Sequence, residues 1–230
     1  MVEFSTSFED AWQEFQALDS PRLAGESMEG DWSHGRAQML VFLIRIEDPA
    51  VQEYAEGVLE RLAGIPGIEP YPREYWHITV KGAGFQVIKR TRQDDVLRQD
   101  VSRLGREAGA LLASHPAYTA QIGPPNGFPD ALFLEIHDAG AIREMNTTLA
   151  ERLDGVVPYP VDGPHFLPHL SIARFTSNEG LDQLKATLAE LRAEDSGPEF
   201  PIRRVEFAKV WLSEQEPDFE TLASFPLAAS

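Results

Sequence analysis

Two short stretches of this 230-residue chain carry the same chemistry: His77-Ile78-Thr79-Val80 and His169-Leu170-Ser171-Ile172. Each is an imidazole, an aliphatic residue, a hydroxyl and a second aliphatic residue, and each has a proline five positions before the histidine, Pro72 and Pro164. In a strand, successive side chains point to opposite faces. His77 and Thr79 would then share one face and Ile78 and Val80 the other; His169 and Ser171 would do the same above Leu170 and Ile172. An imidazole titrates near neutrality and can take or give a proton there. Two of them on opposite sides of one phosphorus supply both proton transfers that a phosphodiester needs, and neighbouring hydroxyls can donate to the non-bridging oxygens as charge builds. One such motif is ordinary; two, one in each half, point to a shared site.

The other candidates for chemistry are weaker. His165 and His169 have a helical metal spacing, but Pro164 and Pro168 argue against a helix there. His34, His115 and His137 lack a second motif and read as surface or structural residues. Cysteine is absent, which removes disulfides, thiolate nucleophiles and Cys-ligated zinc. No nucleophile elbow, phosphate loop or dinucleotide fingerprint occurs. Zinc is therefore discounted, and the chemistry of the two imidazoles needs no metal.

The charge balance of 20 basic against 37 acidic side chains, a net −17, argues against an extended nucleic-acid footprint or an anionic membrane surface. It leaves room for a cleft holding one phosphate. Residues 1–31 hold eight acids and one base, whereas Arg73 to Arg106 holds eight bases and four acids. The tightest basic cluster, Lys89, Arg90 and Arg92, lies in that second stretch and could steer RNA ends. The longest apolar run, Met39 to Ile44, is too short to span a bilayer. With no leader pattern at the N-terminus, the expected location is cytoplasmic.

The elements that must position the histidines follow from periodicity and caps. Phe8, Trp12, Phe15 and Leu18 predict a short helix over 8–18, followed by a connector to about Gly35. Gln38 to Ile46 reads as a buried strand. Asp48 is a good N-cap and Pro49 a good first helical residue, and Val51, Tyr54, Ala55, Val58, Leu59 and Leu62 keep one helical face as far as Gly64. Strands are expected at Ile68–Tyr71, Tyr75–Val80 and Phe85–Lys89, then a helix from Asp94 or Asp95 to about Ala113. Tyr118–Ile122 and Ala131–His137 read as strands joined by a Gly/Pro loop from Gly123 to Pro129. A helix over Ala141–Leu153, a strand at Pro168–Ala173, a helix over Leu181–Ala193 and strands near Arg203–Leu212 and Thr221–Phe225 complete the chain. Mixed order with hairpins indicates an α+β fold.

These residues resemble the paired signature of the two-histidine (2H) phosphoesterase superfamily, which includes 2′-5′ RNA ligase-like proteins and RNA 2′,3′-cyclic phosphodiesterases. The lead from Arg73 to His77, the segment from Gly127 to Glu135 and the segment from Pro168 to Arg174, with 205–213 after it, are similar to the family pattern, and the likeness spans about 37–226. It implies a two-lobed fold with approximate two-fold symmetry and mainly antiparallel sheets, with helices outside and one motif per lobe facing a central cleft. The expected organisation is an acidic extension over 1–36 and one bilobal domain over 37–230, its lobes roughly 37–115 and 116–230. By the resemblance, His77 and His169 are the catalytic pair, His169 the base and His77 the acid in a first assignment, with Thr79 and Ser171 as phosphate contacts. The implied substrate is a nucleotide or RNA-terminal cyclic phosphate, and the resemblance implies no metal and no organic cofactor. A non-catalytic module that recognises a nucleotide or RNA end, and a related enzyme for another cyclic phosphodiester, are the alternatives. Strand alternation adds Tyr75 and Lys81 to the His77 face as base, sugar or phosphate contacts. Arg174 matches a basic family position, which makes it a further substrate-binding candidate, yet simple alternation turns it away from His169 unless a bulge or a strand end intervenes.

Overall fold

The computed structural model describes residues 7–23, 33–194, 196–212 and 219–229. The remainder of the expected 1–36 extension and Ser213 lie outside the described residues. Ten strands form a single curled sheet: β1 (Gln38–Arg45), β2 (Ile68–Pro70), β3 (His77–Val87), β4 (Asp95–Leu97), β5 (Tyr118–Gly127), β6 (Ala131–His137), β7 (His169–Phe175), β8 (Glu199–Ile202), β9 (Arg204–Trp211) and β10 (Phe219–Pro226). Five helices accompany it: α1 (Phe8–Gln16), α2 (Pro49–Leu62), α3 (Val101–Leu112), α4 (Ala141–Arg152) and α5 (Leu181–Arg192). The fold is α+β.

The main strand order is β10-β9-β1-β3-β7-β6-β5-β8, with β2 added to β7 and β4 to β3. Four strands stand on each side of the β3–β7 contact, so the order reads alike outward from that contact. The two lobes are therefore not the contiguous segments 37–115 and 116–230. Strands β9 and β10, late in the chain, complete the lobe of β1 and β3, while β2, early in the chain, pairs with β7. Helices cross in the same way. α2 packs against α5 and β8, and α4 packs against β3 and α3.

Local chemistry explains the strongest elements. Asp48 accepts from the Ala50 and Val51 N–H groups at 3.0 and 3.4 Å, capping α2 behind Pro49. Ser7 caps α1 by accepting from Asp10 N–H at 3.1 Å. Even-numbered residues of β1, Leu40, Phe42 and Ile44, enter the main core beneath the helices, where Phe42 stacks on Phe207 at 4.6 Å. Odd-numbered Val41 and Leu43 face the other side with Ala208 and Val210.

Three expectations change. The strands expected at Tyr75–Val80 and Phe85–Lys89 are one strand, β3, which continues through Lys81-Gly82-Ala83-Gly84 with two bulges. The helix expected from Asp94 or Asp95 starts only at Val101, because Asp95–Leu97 pair parallel with β3. The Gly/Pro stretch after Ile122 stays extended within β5 as far as Gly127, with an irregularity between Ile122 and Pro125. At Gly127 a side chain would force Phe15 of α1 to move, since a Cβ would lie 2.3 Å from its ring.

Candidate active site

The two motif strands meet at one ladder pair, Ile78 opposite Leu170. Antiparallel register then sets His77 beside Ser171 and Thr79 beside His169. All four polar side chains fall on one face, while Ile78 and Leu170 are fully buried on the other. Diagonal positions of this kind are separated by roughly 7–8 Å, a gap of the right scale for a phosphate between two imidazoles. Neither hydroxyl has a hydrogen-bond partner among the described residues, so both remain available to a ligand.

The histidines are held by the same device. His77 Nδ1 lies 2.7 Å from the Tyr75 carbonyl oxygen, and His169 Nδ1 lies 2.7 Å from the Leu167 carbonyl oxygen. A carbonyl only accepts, so each Nδ1 carries the proton and each Nε2 is left bare in the neutral ring. Short 3₁₀ turns at Arg73–Tyr75 and Gly163–His165 supply the bend before each motif, and the prolines at 72 and 164 fall at these turns.

Burial lowers both imidazoles. For His77 desolvation is the largest cause, opposed by the Tyr75 carbonyl and reinforced by His169 and Arg45, bringing it to about 4. For His169 desolvation again dominates, opposed by the Leu167 carbonyl and by the negative charge of Asp130. The two rings thus share a mechanism of depression but differ in the sign of their charged neighbours.

Their walls differ too. His77 lies between Tyr75, edge-on at 5.3 Å, and Phe219 at 4.5 Å. Tyr75 reaches the site from its 3₁₀ turn and not by strand alternation, and burial pushes its hydroxyl up to about 12. Arg45, opposite His77 in the sheet, donates to Glu206 at 2.9 Å and to the Phe219 carbonyl at 2.8 Å. His169 stands edge-on to Phe128 and Phe133 at 4.9 and 5.4 Å. Behind those rings sits α1, whose Ala11 and Phe8 pack with Phe133 and Leu167.

A pair of bulges decides the basic residues. In the β1–β3 ladder Val80 is skipped between Thr79 and Lys81, and in the β6–β7 ladder Ile172 is skipped between Ser171 and Ala173. Each bulge falls three residues after its histidine and reverses the alternation that follows. Lys81 is consequently opposite Phe42 and fully buried, not on the His77 face. Its ammonium pairs with Asp162 at 2.9 Å and donates to the Gly82 and Val157 carbonyls. Arg174 moves the opposite way. The bulge returns it to the face of His169 and Ser171, where its Nε donates to Glu69 at 2.8 Å and its guanidinium lies 5.7 Å from the Tyr71 ring.

Sequence reasoning missed Arg45, Phe219 and Phe133. Phe219 is 142 positions after His77 and reaches it only because β10 closes the edge beyond β9. Phe128 and Phe133 did lie inside the segment singled out from Gly127 to Glu135, but without a role.

The model of the 2′-5′ RNA ligase superfamily matches residues 48–210, well over half of the chain, and the protein belongs to that superfamily of 2H phosphoesterases. Among solved structures, TT0787 of Thermus thermophilus is similar at 16% identity with a TM-score of 0.56, covering 84% of this chain and 99% of that one. Escherichia coli LigT in complex with 3′-AMP is similar at 14% identity and TM-score 0.58, covering 83% and 98%. A conserved Agrobacterium tumefaciens protein of unknown function gives 16% and 0.58, covering 90% and 94%. No curated protein matches the chain. Family membership makes a phosphoesterase or ligase type of function the coarse assignment.

Proposed function

We propose that the protein is a metal-independent phosphodiesterase that opens nucleoside or RNA-terminal 2′,3′-cyclic phosphates to 2′-phosphates. The observation that carries the reading is the matched pair of Nδ1–carbonyl hydrogen bonds at 2.7 Å, which leave two bare Nε2 atoms on one face. In the step, one imidazole takes a proton from water as the water oxygen bonds to phosphorus. The bond from phosphorus to O3′ breaks, and the other imidazole gives its proton to O3′. Thr79, Ser171 and Arg174 supply hydrogen bonds or charge to the non-bridging oxygens. A 5′-hydroxyl in place of water would give a 2′-5′ linkage by the same transfers, which is the ligase form of the reaction.

Charge favours His77 as the base and His169 as the acid, the reverse of the first assignment. A base must be neutral, and His77 is depressed by burial and, beyond that, by His169 and Arg45. An acid must hold a proton, and Asp130 supports one on His169. An anionic substrate between the rings raises both and makes that proton easier to keep. E. coli LigT has been solved with 3′-AMP, NADP+ and ATP, and the shared fold supports a nucleotide in this cleft.

The test is incubation with a nucleoside 2′,3′-cyclic phosphate in EDTA, with 2′- and 3′-monophosphates resolved. The 2′-product is expected, with a bell-shaped pH profile. Activity abolished by chelation would refute the metal-free mechanism. Tight binding without turnover would instead favour a recognition module.

A further inference from the structure

The basic stretch after β3 does not contribute to the cleft. Gln86, near the far end of β3, lies nine residues and roughly 30 Å along the strand from His77. There a cavity of about 390 Å³ is lined by Gln38, Gln86, Ile88, Arg98, Lys209 and Trp211, among others. Ile88 is 92% exposed and Trp211 37% exposed, two of the most exposed large apolar side chains among the described residues. Lys209 Nζ lies 5.4 Å from the Trp211 ring centroid, holding one end of the indole, and is itself paired with Glu220. Gln86 donates to Gln38 Oε1 at 2.7 Å, which leaves an amide donor on Gln38 and an acceptor on Gln86.

Around this cavity the charge pattern of the chain inverts. Lys89, Arg90, Arg92 and Arg98 are exposed, and none of them has an ion-pair partner among the described residues. Other arginines are taken up by acids, Arg45 by Glu206, Arg61 by Glu194 and Arg192 by Glu135, and the two acids of this same loop, Asp94 and Asp95, are taken up by Arg36. In a chain of net −17, these four cations without an ion-pair partner, of which Arg98 lines the cavity with Trp211 and Arg90 donates to the Asp95 carbonyl at 3.0 Å, make a surface suited to a polyanion with planar groups.

We propose that this cavity and its cationic rim bind a short single-stranded RNA segment, with a base against Trp211 and phosphates along Lys89, Arg90, Arg92 and Arg98. Stacking is tolerant of sequence, and cations track the backbone. The negative charge of the rest of the molecule keeps the footprint to a few nucleotides. Binding of this kind does not depend on the histidines, so it extends beyond the proposed reaction.

The experiment is fluorescence anisotropy with a 5′-labelled single-stranded RNA of about 12 nucleotides ending in a 3′-hydroxyl, which offers no cyclic phosphate. Trp211→Ala should weaken binding roughly tenfold, with Trp211→Phe restoring most of it. Arg98→Ala should reduce the log–log salt slope by about 0.7. Turnover of a cyclic mononucleotide should be unchanged in these variants, and the His77→Ala/His169→Ala protein should bind the oligonucleotide like the wild type. The anisotropy is readable even if no turnover is ever found, so failure of the catalytic reading and failure of this one are separate results. Wild-type protein that does not bind, variants that bind as the wild type does, or competition by polyglutamate equal to that by RNA would each overturn the proposal.

Discussion

His77 and His169 sit in halves that match at the backbone and diverge in what surrounds it. Each half supplies a 3₁₀ turn, a carbonyl for Nδ1, an imidazole, a hydroxyl and a bulge three residues on. After the bulge they part. The His77 strand turns a lysine inward, while the His169 strand turns an arginine toward the cleft. The His77 ring has a cation as its charged neighbour and a wall completed by β10. The His169 ring has a carboxylate nearby and a wall backed by α1. Backbone symmetry can place two equal bases; only the unequal surroundings can make one of them the acid.

The largest effect tests the equality. His77→Ala and His169→Ala should each lower turnover of a cyclic phosphate by about 10²–10⁴ with the fold retained. In the proposed reaction the two act in one step, so the double variant should be little worse than either single one. A single variant with full activity would remove that residue from the pair.

Next in size is the contrast between the two basic residues. Lys81→Ala strands Asp162 and should cost about 3–5 kcal/mol in denaturant unfolding. Arg174→Ala should instead act mainly on kcat/KM, with a smaller loss of stability. Equal stability losses would erase the distinction that the bulges create.

Acid should then unfold the protein through the histidines. Both imidazoles are depressed in the fold, so the unfolded chain binds protons that the native state refuses, and stability rises with pH across that window. Unfolding free energy should fall as pH drops from about 6.5 toward the His77 value of about 4. His77→Gln should flatten this dependence.

The smallest effect decides the roles. Asp130→Asn should lower the His169 pKa and move the alkaline limb of the kcat/KM profile slightly to lower pH. Movement of the acidic limb instead would make His169 the base.

The histidines and hydroxyls were legible because their chemistry repeats in sequence and because strand alternation holds over His77–Thr79 and His169–Ser171. The helices α1, α2 and α5 were legible from caps and from one continuous apolar face. The directions of Lys81 and Arg174 were not, since a bulge is one unpaired residue and leaves no compositional trace; alternation misplaced the first, and the second was named from its family position against what alternation indicated. The aromatic walls were hidden for another reason. They depend on which strands become neighbours, and the pairing of β10 with β9, and of β9 with β1, brings together residues far apart in sequence, such as Phe42 with Phe207 and Phe225. The basic cluster at Lys89–Arg92 was visible in sequence, whereas the cavity that Arg98 shares with Trp211 required the fold.

The strand order also bears on how this protein can be divided. The residues that match the superfamily, 48–210, omit β1 entirely, and β1 is the strand that joins β9 to β3. They also omit β10, which carries Phe219 to His77. A polypeptide trimmed to the recognisable segment would keep both histidines and lose the strand between β9 and β3, exposing two edges and the apolar underside of Ile78. Its limits in sequence similarity are therefore not its limits as a folding unit, because the cleft and its walls draw on residues from α1 through β10.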